Sequence, residues 1–464
     1  MNGPFVKNSV IPLEITDLNN LGFGVGHLVD GRTVFVKGAV TGDSCEVRLI
    51  KIASAYCVGR LETLLRASPH RLEDDTCTAA DACGGCVYRH VTYAYELACK
   101  RSYVEHAFRK AGLPDVTVLP VRTTGRVSGY RNKALYPVKA GKTGMVAGFY
   151  ARKTHDVVPA AHCALAPEIF GEILGFVCGF CDSHGISAYE ESTGRGLLRH
   201  VYLRYAEGTG DVMVTLVLNG DKLPGEAEFV RTLTGRFPSV ASVYINQNTQ
   251  NTNVVLGDRY RLLWGKPHLS DILCGKKFSL SPDSFYQVNH DAAELLYGLA
   301  AEKAGLTGEE TLLDLYCGAG TIGISMADRA RRVIGVEIVP GAVRCAEENA
   351  AMNGLFNTAF YCGDASDTEK LLAAAEAAEG TLSPDVVIID PPRKGTTPGL
   401  ISFLARREIP KIVYVSCDPD TLARDCALFR EAGYRIGEVT PVDLFPRTGH
   451  VETVVLMSKA NPNK

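Results

Sequence analysis

TLLDLYCGAGTIG, residues 311–323, decides the fold. A short, almost wholly apolar run ends in a glycine-rich turn, and a helical pattern follows. The glycines stand as G-x-G-x-x-G at Gly318, Gly320 and Gly323. Such spacing lets a ligand approach the main chain closely at the carboxyl end of a strand. Three more apolar runs repeat the alternation downstream: RVIGVE (332–337), PDVVIID (384–390) and KIVYVSC (411–417). Each is followed by a helical stretch. Short strands that are apolar on both faces and alternate with helices predict a parallel sheet covered on both sides. The expected class is α/β with a Rossmann-like C-terminal domain over 276–464. HVETVVLMS (450–458) reads as its last strand.

Upstream the pattern changes. VIPLEI (10–15) and the stretch 21–52 read as short strands, with turn signals at Asp30-Gly31 and Gly42-Asp43. They predict a small, OB-like β-barrel over 1–62. A mixed central domain is expected over 63–275. It opens with the polar, cysteine-rich stretch 71–90, continues with a helix over about 91–112, and is mainly strands from 120 to 270. VYLRYAEG (201–208) and GDVMVTLVLNG (210–220) form its expected hairpin. AAAEAAEG (373–380) reads as a surface helix end.

Composition narrows the function classes. The chain has 464 residues, 46% hydrophobic and 22% charged, with a net charge of −3. That excludes a uniformly basic nucleic-acid binder but leaves room for a local basic face. Residues 99–153 supply one, with twelve Lys or Arg against Glu105 and Asp115. The segment reads as a phosphate-binding surface. No run approaches the roughly 20 apolar residues of a bilayer span. MNGPFVKNSV lacks a signal-peptide pattern. A cytoplasmic monomer with no membrane partner is expected. In that compartment the 15 cysteines serve metals, chemistry or packing rather than disulfides.

The acids at the strand ends indicate what the glycine loop holds. Asp314, Glu337, Asp364 and Asp390 all fall at predicted strand ends or in adjacent loops. A dinucleotide brings a pyrophosphate, which acids repel. A methyl sulfonium donor is cationic, and Glu337 can accept from its ribose hydroxyls. S-adenosylmethionine therefore fits better. Cys417 lies between a strand and a helix whose start is marked by Asp418 as N-cap and Pro419 as first residue. A helix N-terminus is expected to lower the thiol pKa. A thiolate beside a methyl donor suits methylation at carbon 5 of a pyrimidine. Addition of sulfur to carbon 6 makes carbon 5 nucleophilic, and a base must then remove the carbon-5 proton. Glu452 is the candidate base, and Asp390 the candidate partner for the ring edge. Amine methylation would need no such cysteine.

Cys77, Cys83 and Cys86 are spaced C-x5-C-x2-C. By spacing alone they suit zinc or an iron–sulfur cluster equally. The fourth ligand is open between nearby His90 and distant Cys163.

Together these stretches resemble the bacterial S-adenosylmethionine-dependent RNA uracil-5-methyltransferases, above all the iron–sulfur members that modify 23S ribosomal RNA. The resemblance rests on FYQVN (285–289), LDLYCGAGTIGI (313–324), GVE (335–337), IIDPPRKG (388–395), YVSCDPDTLARD (414–425) and DLFPRTGHVETVVLM (443–457). CTAADACGGC (77–86), YRNK (130–133) and AHCALAPE (161–168) add to it, and the N-terminal barrel resembles a TRAM domain. The resemblance implies Cys417 as nucleophile and Glu452 as base. It places Gln287, Tyr316, Glu337, Asp364 and Asp390 around the donor. It selects a [4Fe-4S] cluster on Cys77, Cys83, Cys86 and Cys163, and 23S ribosomal RNA as partner. The family often has Asn where this chain has Thr321, so one donor contact is expected to be lost. The rival readings are the same chemistry on tRNA and an RNA-binding or ribosome-assembly factor without catalysis.

Overall fold

The computed structural model describes residues 5–73, 77–80, 82–152, 154–160, 162–251, 254–367, 369–370, 376 and 383–459. Most of the expected helix end at 373–380, and Lys153 of the basic segment, lie outside them.

The first sheet has six strands: β1 (Val10–Glu14), β2 (Asp17–Leu18), β3 (Phe23–His27), β4 (Thr33–Lys37), β5 (Ser44–Ile52) and β6 (Tyr56–Arg66). Their order is β1-β5-β6-β4-β3-β2. Alternating residues of β4 and β5, among them Val34, Val36, Cys45, Val47 and Leu49, fill its interior and are fully buried. Both expected turns form, at 30–31 and 42–43. Buried Asp43 locks the second by accepting from the Val40 amide at 2.7 Å.

Helix α1 (Tyr93–Lys110) follows. The central sheet then contains β7 (Lys133–Ala140), β8 (Met145–Tyr150), β9 (Val157–Pro159), β10 (Leu198–Tyr205), β11 (Val212–Leu218), β12 (Val240–Gln247) and β13 (Arg259–Gly265). Its order is β13-β12-β11-β10-β7-β8-β9, and β10–β11 is the expected antiparallel hairpin. Helices α2 (Glu168–Ser183) and α3 (Glu226–Arg236) pack on it through Phe170, Ile173, Val177, Phe229 and Leu233. A hairpin, β14 (Leu269–Leu273) with β15 (Lys276–Leu280), leads into the last domain.

That domain has the strands β16 (Thr311–Leu315), β17 (Arg332–Glu337), β18 (Thr358–Cys362), β19 (Val386–Ile389), β20 (Lys411–Ser416), β21 (Tyr434–Val442) and β22 (Glu452–Lys459). Their order is β18-β17-β16-β19-β20-β22-β21. The first five are parallel, as the apolar runs of β16, β17, β19 and β20 predict; β18, which the sequence does not predict, joins them at the edge. Only β22 runs against them, inserted antiparallel between β20 and β21, so β21 again points with the first five. Helices α4 (His290–Ala304), α5 (Thr321–Met326), α6 (Pro340–Met352), α7 (Pro398–Arg406) and α8 (Pro419–Glu431) cover the sheet.

Helix α1 departs from its place in the chain. Val104, Ala107 and Phe108 pack into the same core as Leu313, Ile412 and Phe429 of the C-terminal domain. Val118 and Arg122 bridge to Val439 and Val442 of β21. A segment about 200 residues upstream thus completes one face of the C-terminal layer. No helix among the described residues is long and apolar enough to cross a membrane.

Candidate active site

The glycine loop begins with strain. Tyr316 takes φ 63°, and Gly318 and Gly320 take φ 55° and 77°. A Cβ on Gly318 would meet nothing within 4 Å, so the space over the loop is open. At Gly323 a Cβ would press on Asp314 at 2.8 Å, and the Gly323 amide donates to the Asp314 carboxylate at 2.8 Å. Asp314 is therefore the brace that joins strand to helix. Glu337 ends β17 and accepts from the Gly318 amide at 3.0 Å and the Val339 amide at 2.9 Å. Those bonds hold its carboxylate at the loop, where the ribose-binding reading needs it. The Tyr316 hydroxyl meets the Thr396 hydroxyl at 3.3 Å. Thr321 turns its hydroxyl to Tyr297 at 3.1 Å. Asp364 is exposed in the turn after β18. Gln287 is half-buried, and its main-chain carbonyl accepts from Asn132 at 2.8 Å. Two residues on, Asn289 caps α4 and donates to the Leu444 carbonyl at 3.0 Å. FYQVN is thereby tied to DLFPRTGH across 155 residues.

Strand register brings the candidate catalytic groups together. β22 pairs with β20 so that Thr453 faces Ser416, and the Thr453 hydroxyl donates to the Ser416 carbonyl at 3.0 Å. The next step along each chain is Glu452 on one side and Cys417 on the other. Asp390 directly follows the adjoining strand β19. Burial pushes the Glu452 carboxyl up to about 8, and the charge of Asp390 adds to the shift. Burial alone raises Asp390 to about 7. Asp314 is likewise raised to about 7, first by burial. This end of the sheet is acidic but carries fewer charges than its carboxyl count.

Cys417 behaves differently from its expectation. Asp418 does cap α8, accepting from the Thr421 amide at 3.0 Å, and Pro419 does open the helix. Yet the Cys417 thiol is raised to about 11. Burial is the largest cause, and Glu452 and Asp390 reinforce it. The helix terminus does not outweigh desolvation and two neighbouring acids. The opposing cation is Arg393, which favours both the Cys417 thiolate and the Glu452 carboxylate. Sequence reasoning assigned Arg393 no role. Its signal was there, in a charged residue three positions beyond the strand-end acid.

The four cysteines also meet. Cys77, Cys83, Cys86 and Cys163 line one cavity, although Cys163 lies 77 residues beyond Cys86 in the chain. Arg89 and Arg131 share its walls, with Phe149 and Tyr150. His90 is not among the lining residues. Among the described residues no group of three or more His, Cys, Asp or Glu is gathered as a metal-holding set. The Arg131 Nε is buried without a hydrogen-bond partner.

The basic segment is the clearest departure. Lys100 is 1% exposed and paired with Asp443 at 2.6 Å and Glu96 at 2.8 Å. Arg126 pairs with Glu207 and Asp291. Arg131 lines the cysteine cavity. Burial pushes Lys133 down to about 8, and its ammonium lies over the Phe285 ring. Acids distant in the chain consume much of the local charge excess. Arg109, Arg122 and Lys142 remain exposed.

Comparison with known proteins agrees with this geometry. Residues 273–460 match the family model described as tRNA (Uracil-5-)-methyltransferase, and residues 4–61 match the TRAM domain. A Bacillus cereus (strain ATCC 10987 / NRS 248) protein described as an uncharacterized RNA methyltransferase is 39% identical over 460 residues, covering 99% of this chain and 98% of that one. A Halalkalibacterium halodurans protein of the same description is 38% identical over 459 residues, 99% of each chain. The crystal structure of Pyrococcus abyssi tRNA (uracil-54, C5)-methyltransferase in complex with S-adenosyl-L-homocysteine superposes with a TM-score of 0.76 at 27% identity. It covers 96% of this chain and 100% of that one. The chain belongs to the S-adenosylmethionine-dependent RNA uracil-5-methyltransferase family and carries that family's methyltransferase domain behind an N-terminal TRAM domain.

Proposed function

We propose that the chain methylates carbon 5 of one or more uridines in 23S ribosomal RNA. The observation that carries the reading is the convergence of Cys417, Glu452, Asp390 and Arg393 at the carboxyl edge of the sheet. S-adenosylmethionine supplies an electrophilic methyl group over the open face of the loop at Gly318. Gln287, Tyr316, Glu337, Asp364 and Asp390 are its proposed contacts. The Cys417 thiol gives its proton to solvent, its sulfur adds to carbon 6 of the uracil, and the ring's electron pair moves toward O4. Asp390, protonated near neutrality, donates to that edge of the ring. Carbon 5 then attacks the methyl group, whose bond to the sulfonium breaks, and S-adenosylhomocysteine departs as the neutral thioether. Glu452 in its carboxylate form removes the carbon-5 proton, the carbon–sulfur bond breaks, and the double bond returns. Arg393 favours the two anionic forms that this sequence uses, the Cys417 thiolate and the Glu452 carboxylate. A base in a duplex cannot reach this crevice, so the target uracil is unstacked or lies in a loop.

The proposed division of labour follows the chain. Residues 1–62 and 63–275 grip RNA, and 276–464 perform the chemistry, with α1 lent to the last domain. For the cysteine cavity we favour a [4Fe-4S] cluster on Cys77, Cys83, Cys86 and Cys163. Its support is the donor set: four thiols around one space, with two guanidinium groups to offset the charge of thiolate ligands and one guanidinium nitrogen unpartnered. The cluster would fix the fold, since the reaction has no redox step.

One observation favours a second substrate: the solved neighbour acts on uracil 54 of tRNA. Anaerobically purified protein with labelled donor should be given unmodified 23S ribosomal RNA and unmodified tRNA. The labelled nucleotides are then located by mass spectrometry. Label in 23S uridines is expected. Label confined to tRNA would keep the chemistry and replace the substrate. Label in neither RNA, with donor bound, would favour an RNA-binding role without catalysis.

A further inference from the structure

The loop leading into the base, residues 443–450, takes most of its anchors from outside the domain that contains it. Lys100 of α1 donates to the Asp443 carboxylate at 2.6 Å and to the Phe445 carbonyl at 3.1 Å. The Tyr93 hydroxyl donates to the other Asp443 oxygen at 2.7 Å. Glu96 accepts from Lys100 at 2.8 Å and from the Arg447 amide at 2.7 Å. The Arg447 guanidinium donates to the Val91 carbonyl at 3.2 Å, and the Val87 and Tyr88 amides donate to the Arg447 carbonyl. Tyr130 donates to the Pro446 carbonyl at 2.9 Å. Arg447 holds φ 69°, a conformation that side-chain-bearing residues adopt only when their surroundings impose it. On the far side, a Cβ at Gly449 would collide with the Asn20 carbonyl of the barrel. The loop is clamped on both sides.

Glu96, Lys100 and Asp443 are each at most 1% exposed. A buried ion cluster of this kind adds little net stability over a well-packed apolar one. What it adds is direction, because each charge accepts few geometries. We propose that Glu96, Lys100 and Asp443, acting with Tyr93 and through Arg447, are positioning residues that set the approach of Glu452 to the carbon-5 proton. The proposal rests on the reading of Glu452 as the base. It makes α1 a working part of proton removal without touching RNA or donor.

The test is the paired substitution Lys100→Met with Asp443→Asn, which removes two facing charges and keeps their shape. Glu96 retains Arg447 as a partner. The expected result is a fall in kcat of about tenfold or more, with KM for RNA and for donor within about twofold of the parent. A covalent protein–RNA adduct should accumulate on denaturing gels, because sulfur addition and methyl transfer precede the impaired step. A folded variant with parental kcat, or a reduced kcat with no adduct, would overturn the proposal. Tyr93→Phe leaves no bare charge and serves where the pair does not fold. A kcat reduced about threefold with detectable adduct supports the network, and parental behaviour overturns it. Glu452→Gln separates the two levels. If it traps adduct and the network variants do not, the network fails and the base stands. If it traps none, the reading of Glu452 fails and takes the network with it.

Discussion

Two regions of this molecule use cysteine, in opposite surroundings. Cys417 sits between two carboxyl groups, Glu452 and Asp390, with Arg393 as counter-charge. Cys77, Cys83, Cys86 and Cys163 share a cavity with two guanidinium groups, Arg89 and Arg131. Neighbouring acids keep a thiol protonated, and neighbouring cations favour the thiolate. In the proposed reaction Arg393 must offset those acids for the Cys417 sulfur to add to a ring. Burial nonetheless raises the Cys86 thiol to about 11, as at Cys417, and raises Cys83 in the same direction, so the guanidinium groups do not outweigh desolvation. The residue type and the rise from burial are shared; the two sites differ in the charge that faces the sulfur, acids at one and guanidinium groups at the other.

The largest expected effect tests the first half of that contrast. Cys417→Ala should lower turnover by at least roughly 10⁴-fold, while donor affinity measured by calorimetry stays at the parental value. Substantial residual methylation would mean that the carboxyl-flanked sulfur is not the nucleophile.

A smaller effect comes from the acids themselves. Glu452 must be ionised to take a proton, and its carboxyl is raised to about 8. The ionised fraction therefore grows about tenfold between pH 7 and pH 9, while the protonated Asp390 that faces the ring is lost above about 7; in Asp390→Asn, where only Glu452 titrates, kcat should rise about tenfold over that range. A kcat profile flat across that range would remove Glu452 from the proton step.

The ligand half of the contrast is tested by Cys163→Ser. Iron content should fall, and the melting midpoint should drop by about 5 °C or more if metal binding is coupled to folding. Cys417→Ala should retain both. Equal iron content in the two variants would break the distinction between the regions.

The smallest effect concerns stability. The Glu452 carboxyl titrates near 8 when folded and near about 4 when unfolded. Between those values the folded state binds the extra proton, so stability falls as pH rises through that window. Glu452→Gln should then raise the melting midpoint by roughly 2–4 °C at pH 8.5 and leave it unchanged at pH 4. A destabilised Gln variant at pH 8.5 would show that the carboxylate is compensated in the folded protein.

Much of this was legible along the chain because it is local. The glycine spacing at 318–323, the apolar runs of β16, β17, β19 and β20, the cap at Asp418-Pro419 and the barrel turns all depend on neighbours a few residues away. β21 was harder to see. YRIGEVTPV is broken by a register shift between Ile436 and Val439 and lacks a clean alternation. The direction of β22 was equally hidden, because an apolar run says nothing about which strands flank it. The charge of 99–153 misled for a related reason. Its ion-pair partners Asp443, Glu207, Asp291 and Asp420 lie from about 80 to more than 340 residues away.

The layer architecture, the glycine loop and the candidate residue types for the chemistry follow from the sequence alone, since backbone preference and apolar periodicity act at short range. Only the tertiary structure decided that Glu452 stands across from Cys417, that four cysteines share one cavity and that Lys100 faces inward. It also decided that the Cys417 thiol is raised rather than lowered. Those outcomes depend on strand register, burial and charges brought together through space, and no local pattern encodes the sum of such fields.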